Sequence, residues 1–492
     1  MEDVSAIDFR DLYCTLDVDE AAQLLTNKIV EVLNVHAPWI VFQQRTKYVP
    51  WVTDETKQLM KERDGYKEHA KSLARLDQND ASSAQTDMWL KYKKVRNRVN
   101  NLLKQEEIRF KKQKFKECHG SSDQVWALAK KYMDWTSNGP PTRLESEKDG
   151  GMTLISKAAD IAKLMNEFFI QKVDSIVGGL EEADCNLGGC LSLMQGKRIS
   201  MSLNHLTVYK VRKLLGTLKT KKSTSVDQLD NFSVKIAADY LARPLHHEIS
   251  LSIMQQKFPS CWKFTKIIPL HKKNSTLKKE NYRPVAILSP LSKVLEKAVY
   301  EQIYSYFEKN SLFHSALHGY RGNRSTLTAL LTMYEKWVKA ASHGQVTGVV
   351  LADLSAAFDL VSPTLLIRKL KIYGFRDDIL AWLTSYLTGR FQSVWIDHTF
   401  SEFIENNIGV PQGSNLGPLL FLIFFNDLAV SFNGDLDCYA DDSTISTTGQ
   451  NVLEVEEKLN SHCLFLSNWM KENKFKLNAE KTHLMLLEHL LN

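Results

Sequence analysis

The chain has 492 residues, 43% of them hydrophobic, so it is too long for one simple core and too apolar for a disordered chain; roughly two to four folded domains are expected. The net charge of +6 is a mild bias, and its distribution says more, because Lys and Arg cluster in the N-terminal third. Seven cysteines without a regular framework exclude a disulfide-stapled secreted scaffold and point to reduced thiols in an intracellular setting.

Cys185 and Cys190 have no matching Cys/His pair nearby, which argues against zinc. The acidic N-terminus lacks a basic-then-apolar secretory pattern. The longest apolar run, Leu416 to Phe425, is too short to span a bilayer. A soluble chain of the nucleus or cytoplasm, without a membrane partner, is expected.

In chain order, apolar residues recur at helical spacing from Leu16 to Val35, and Ala37-Pro38-Trp39 ends that run. Thr53 reads as the N-cap of a long helical stretch from Asp54 to Glu117, with an interruption near Asn79 to Ser83. Its second half carries Lys91, Lys93, Lys94, Arg96 and Arg98 interleaved with aromatics, then runs on through Arg109 to Lys116. Such a face neutralises phosphates and stacks on bases, and a solvated helix face would read the same way. Residues 1–136 are therefore taken as a basic helical region. The stretch from Ser137-Asn-Gly-Pro-Pro141 to Gly151 is loop-like and marks a boundary. A helix over Ile161 to Val173 and a connector from Gly178 to Lys197 complete a linking region, 137–200. From 201 to 492 the pattern is compact and mixed. Helices are expected over Val208–Leu218, Asn231–Ile253 and Leu291–Phe307, a strand over Thr265–Leu270, and a loop at Asn281–Pro284.

The apolar run Gly348 to Ala352 ends in Asp353, as a buried strand does when it delivers an acid at its edge. Leu436 to Ser446 reads as a tight hairpin with Asp441 and Asp442 at its turn. Side-by-side carboxylates repel, so a fold that keeps them together usually holds a cation there, and hard oxygen ligands suit Mg²⁺. Taken singly, an Asp-Asp loop tip in water and a strand-end acid capping a helix are the plainer readings. If neighbouring strands unite the three, they can hold two ions roughly 3.5–4 Å apart, one activating a hydroxyl and the other stabilising a leaving pyrophosphate. Between them, glycines flank Pro411-Gln412 and give a backbone that a ligand approaches closely, ahead of an apolar helix.

Five motifs occur in order: Asn281-Tyr282-Arg283-Pro284, Asp353 in ADLSAAFD, GVPQGSNLGPLLF, Tyr439-Ala440-Asp441-Asp442, and Leu477-Asn478-Ala479-Glu480-Lys481-Thr482. This set resembles the reverse transcriptases of non-LTR (LINE-type) retrotransposons, in their Jockey/CR1-like branch, from about His205 to Leu487. The block with Pro50-Trp51, Arg63-Asp64 and Arg96-Asn97 resembles the linker between endonuclease and polymerase in those elements. The resemblance implies an α+β, right-hand polymerase fold, with fingers over about 201–345 and palm over about 346–492. It implies RNA-directed DNA synthesis with an RNA template, a DNA primer or target DNA, dNTPs, and two Mg²⁺ ions that Mn²⁺ can replace. Asp353, Asp441 and Asp442 resemble the metal-binding catalytic acids. Phe358 takes the place of the bulky residue that excludes a ribose 2′-OH, and Gln412 and Gly413 that of the nucleotide and template contact. Lys272, with Lys273 as an equally placed rival, and Arg283 match cations that clamp the triphosphate, and Lys481 matches a late lysine that protonates pyrophosphate.

The sequence departs from the family in places. The loop Lys222 to Asp227 lacks the glycine usual before that aspartate, and Leu317-His318-Gly319-Tyr320 lacks the usual glutamine. Both bear on template handling rather than on fold. No endonuclease is expected ahead of these motifs, and the chain stops soon after Lys481. The expectation is thus a chain truncated at both ends, without a thumb and with low processivity. Two rival readings remain: a non-catalytic nucleic-acid-binding relic, and RNA-templated RNA synthesis, which Phe358 opposes. Nothing in the sequence fixes an oligomeric state.

Overall fold

The computed structural model describes residues 7–38, 49–73, 81–118, 122–132, 139–148, 151–178, 186–221 and 223–488. Trp39, Asn79, Ser137, Cys185 and Lys222, used above, lie outside them. The chain divides into two compact units, residues 39–139 and residues 1–38 together with 140–492.

The larger unit begins with α1 (Arg10–Cys14) and α2 (Val18–His36). Asp17 caps α2 by accepting from the amides of Asp19 and Glu20 at 2.9 and 3.0 Å. The Ala22, Leu25 and Ile29 stripe of α2 enters the main core, and Trp262 donates to Thr26 at 3.3 Å. Residues 7–38 therefore fold with the larger unit and not with the basic helices they were grouped with. The smaller unit contains α3 (Asp54–Leu73), α4 (Ala81–Glu117) and α5 (Ser122–Tyr132). Here α3 packs along α4; Thr56 donates to Glu106 at 2.9 Å and Trp51 lies against Phe110.

The larger unit resumes at β1 (Leu144–Lys148) and β2 (Gly151–Ile155), an antiparallel hairpin in a stretch expected to be loop. Strand β1 reads Leu-Glu-Ser-Glu-Lys and β2, which is uncharged, lies mostly exposed, so no apolar alternation announces them. Helices α6 (Ala158–Gly178), α7 (Gly188–Met194), α8 (Val208–Gly216), α9 (Asn231–Ile236) and α10 (Ala238–Met254) follow. One helix was expected over Asn231–Ile253. The chain instead breaks at Ala237, while Val234, Leu241 and Leu245 stay buried on either side, so apolar spacing does not register the break.

Next come β3 (Phe264–His271), β4 (Tyr282–Ile287), α11 (Pro290–Lys309), α12 (Thr326–Ser342), β5 (Val346–Ala352), α13 (Pro363–Ile372) and α14 (Asp377–Leu387). The chain continues through β6 (Phe391–Ile396), β7 (Thr399–Phe400), β8 (Ile404–Glu405), α15 (Gly417–Ser431), β9 (Asp435–Tyr439), β10 (Asp442–Gly449), α16 (Val452–Glu472) and β11 (His483–Leu487). One sheet has the order β4-β3-β6-β7, with β8 also on β6, and the other β11-β5-β10-β9. The expected loop at Asn281–Pro284 thus becomes a strand from Tyr282 on. Pro284 is tolerated there because β4 is an edge strand. Residue 345 does not separate the sheets either, since β6, which carries β7 and β8, comes after it and pairs with β3. Helix α15 is apolar nearly all round and is buried accordingly at the centre of the core. The result is a mixed α+β fold. No helix among the described residues is long and apolar enough to cross a membrane.

Candidate active site

Valines and small residues carry β5 through the interior, and the strand ends at Ala352, leaving Asp353 at its edge. Strand β10 is the antiparallel neighbour of β5, with Ser443 opposite Ala352. Continued by one residue, that register sets Asp442 opposite Asp353. Strands β9 and β10 pair up to Tyr439–Asp442, so the connecting turn is Ala440-Asp441, and Ala440 is left-handed at φ 58°.

A second segment braces this turn. Cys438 donates to Ala316 O and receives a bond from His318 N–H, both at 2.8 Å. Gly319 follows, and a Cβ there would lie 2.4 Å from Ala440 N. The Leu317–Tyr320 stretch, which departs from the family pattern, is therefore pressed backbone to backbone against the acidic turn. Gly319→Ala must push that turn aside and is expected to destabilise the protein by about 1–3 kcal/mol, measurable by chemical denaturation. Beneath the hairpin, buried His318 lies 3.3 Å from Asp437, whose charge Lys336 meets at 3.0 Å. Burial holds the His318 pKa below its ordinary value, so the imidazole is neutral at pH 7.

Asp353 accepts from Lys481 Nζ at 2.8 Å and from Asn478 Nδ2 at 2.9 Å. Backbone bonds Ser355 N–H to Lys476 O and Asn478 N–H to Asp353 O, each 2.9 Å, lay residues 476–478 beside it. Burial, and then the charges of Asp441 and Asp353, raise the Asp442 pKa above the ordinary carboxylate value. Among the described residues, no three His, Cys, Asp or Glu side chains are drawn close enough to enclose a metal ion. Lys481 pairs with Asp353, and its charge pulls the Asp442 pKa down by less than burial and the charges of Asp441 and Asp353 push it up. An oxygen-only donor set with surplus negative charge fits a hard divalent cation.

The other expected residues fall in four places. Phe358 stacks on Phe421 with centroids 4.6 Å apart and meets Tyr320 edge-on at 5.9 Å. Gln412 donates to Asp359, and Gly413, at φ 83°, sits so near β4 that a Cβ would lie 2.8 Å from Ala286 O. Lys272, Lys273 and Arg283 are exposed around the β3–β4 connection, where Lys272 N–H bonds Asn281 O at 2.7 Å. Lys91, Lys93, Lys94, Arg96 and Arg98 all lie exposed on α4 in the smaller unit. Of these, Lys91 pairs with Asp87 at 2.7 Å and Arg96 lies over the Tyr92 ring.

Sequence reasoning missed Asp359 and Glu296. Glu296 is fully buried on α11 and accepts from Asn415 N–H at 2.7 Å and Ser292 at 3.0 Å, tying down the loop after Gln412. A lone acid on an apolar helical face, among Leu291, Leu295 and Val299, was the available signal.

Residues 270–489 match the family model described as "Reverse transcriptase (RNA-dependent DNA polymerase)". The chain is 29% identical over 304 residues to the "Probable RNA-directed DNA polymerase from transposon BS" of Drosophila melanogaster, covering 59% of this chain and 33% of that protein. It is 26% identical over 294 residues to the "RNA-directed DNA polymerase from mobile element jockey" of the same fly, covering 58% and 32%. A third relative is the "Probable RNA-directed DNA polymerase from transposon X-element", 25% identical over 299 residues and covering 59% and 33%. The chain spans about a third of the length of these relatives.

Proposed function

We propose that this chain carries a reverse transcriptase domain of the non-LTR retrotransposon type and acts as an RNA-directed DNA polymerase. It joins a dNTP to a primer 3′-OH on an RNA template and releases pyrophosphate. The observation that carries the reading is the register of β5 and β10, which ends with Ser443 opposite Ala352 and so leaves Asp353 next to Asp442, beside Asp441 in the turn.

In this reading Asp353, Asp441 and Asp442 hold two Mg²⁺ ions, with Mn²⁺ as a substitute. Bound there, the ions supply activation of the primer hydroxyl and neutralisation of the leaving pyrophosphate. The chain's own residues position the reactants, which is most of what phosphoryl transfer asks of a protein. The sheet containing β5 and β10 acts as palm and the β3–β4 side as fingers, where Lys272 or Lys273 and Arg283 bind the triphosphate. Planar Arg283 suits bidentate phosphate contact. Gln412 and Gly413 meet the nucleotide and template. Lys481, near enough to Asp353 to share its carboxylate, delivers a proton toward pyrophosphate. The cations of α4 contact nucleic acid. Copying at a nicked chromosomal site would place the action in the nucleus.

Phe358, braced by two rings, acts as the gate against a ribose 2′-OH. Phe358→Ala is expected to raise ribonucleotide incorporation roughly tenfold or more relative to dNTP. Unchanged discrimination in an active variant would remove the gate assignment.

The decisive test is primer extension on an RNA template with dNTPs and Mg²⁺, run beside Asp441→Ala. Product from the parent and none from the variant supports the polymerase. A folded parent that binds RNA–DNA duplex yet extends nothing would favour the relic.

A further inference from the structure

Asp359 closes the ADLSAAFD motif, and the chemistry proposed so far gives it no task. It sits in a short helical turn, residues 357–360, that also carries Phe358. The loop bearing Gln412 is locked onto that turn through its backbone. Gly409 N–H donates to Val361 O at 3.0 Å and Val410 N–H to Phe358 O at 2.9 Å. Gly409 has φ 85°, and a Cβ there would lie 2.8 Å from both Cα and O of Asp359. The two segments therefore move as one piece, and the side-chain contact that spans them is the bond from Gln412 Nε2 to Asp359 Oδ1. A cavity of about 60 Å³ lies beside this pair, lined also by Arg390, Gln392 and Asn406.

We infer that Asp359 is the positioning residue that sets the orientation of the Gln412 amide and so decides which group Gln412 offers to the incoming nucleotide. The inference rests on the reading of Gln412 as a nucleotide contact. An ionised carboxylate has no proton to give, so it can only accept, and the amide must turn its nitrogen toward Asp359. That leaves the amide oxygen directed away from Asp359, as an acceptor for a hydroxyl or N–H donor of the nucleotide. Burial raises the Asp359 pKa to about 6, while the Gln412 bond and the Lys172 charge pull against that rise. At pH 8 the group is ionised and the orientation is fixed.

The test is steady-state primer extension at pH 8 with the full chain, comparing wild type, Asp359→Leu, Gln412→Ala and the double variant. Asp359→Leu is expected to raise KM for dNTP roughly tenfold, the scale of losing a bond to a charged group, with kcat nearly unchanged. It should add nothing further in the Gln412→Ala background, because a lost orientation cannot matter once the oriented group is gone. Equal losses in both backgrounds, or a fall in kcat with KM unmoved, would overturn the inference and mark Asp359 as a brace for the turn.

A second pair covers the case in which Asp359→Leu does not fold. Gln412→Glu sets two carboxylates together and should raise KM. Adding Asp359→Asn restores a donor–acceptor pair of opposite sense and should recover most of that loss. No recovery would also overturn the inference. A wild type that extends no primer and binds no dNTP removes the polymerase reading and this one with it. An active wild type with independent effects removes this one alone.

Discussion

Asp442→Asn is expected to lower primer extension by at least roughly 10²–10³-fold, the scale of removing one preorganised electrostatic partner of a transition state, without lowering thermal stability. The two halves of that expectation come from one geometry. Asp442 lies just beyond the Ser443–Ala352 end of the β5–β10 ladder, near Asp353 and next to Asp441, and these neighbours, after burial, hold its pKa above the usual carboxylate value. A raised acid binds its proton more tightly folded than unfolded, so the folded state loses stability as pH rises through that range. At pH 8 the charge on Asp442 therefore costs stability, and the neutral amide removes the cost. The wild type should melt higher as pH is lowered from neutrality toward the carboxylate range, and the variant should lose that part of the slope. Melting curves at two pH values, beside primer extension, check both. A variant that loses activity and melting temperature together would show Asp442 holding the hairpin together instead of supplying charge.

The acids were legible in the sequence because each interrupts a pattern. Asp353 ends an apolar strand, and Asp441-Asp442 punctuates β-compatible residues, so their strands and their meeting could be anticipated. What surrounds them was not legible, because it depends on contacts distant in sequence. Gly319 reads as an ordinary glycine until Ala440 is seen against it. Asp359 lies 53 residues from Gln412. Strand β4 contains a proline, β1 reads Leu-Glu-Ser-Glu-Lys and β2 lies mostly exposed, so none shows the period that announces a strand. Helix α2 looks like part of a helical N-terminal region, and only the burial of its stripe against the larger unit assigns it. Local pattern identifies elements that bury one face against water; it does not say which partner they bury it against.

Lys369→Met should cost about 3–5 kcal/mol and lower the melting temperature by roughly 10 °C, although Lys369 touches none of the proposed catalytic residues. Its ammonium is fully buried and donates to Asp427 at 3.1 Å, Asn473 at 2.6 Å and Phe424 O at 3.2 Å. It also lies 4.0 Å from the Phe424 ring centroid and 5.1 Å from that of Trp469. Asp427 takes a further bond from Trp469 Nε1 at 3.2 Å and faces the Cys190 thiol, whose pKa burial raises to about 12. One cation thus joins α13, α15 and α16, with α7 held against them. Methionine fills much of the same volume but leaves the Asp427 carboxylate without a counter-charge in a site closed to water. The cost should spread, because Asn473 ends α16 just before the residues that lead to Asn478 and Lys481 beside Asp353. Adding Asp427→Leu removes the stranded charge and should recover most of the stability, which a simple packing defect would not do. Melting curves of the single and double variants decide it. A single variant as stable as wild type would mean that Asp427 does not need this counter-charge, because it takes up a proton or reaches water without it.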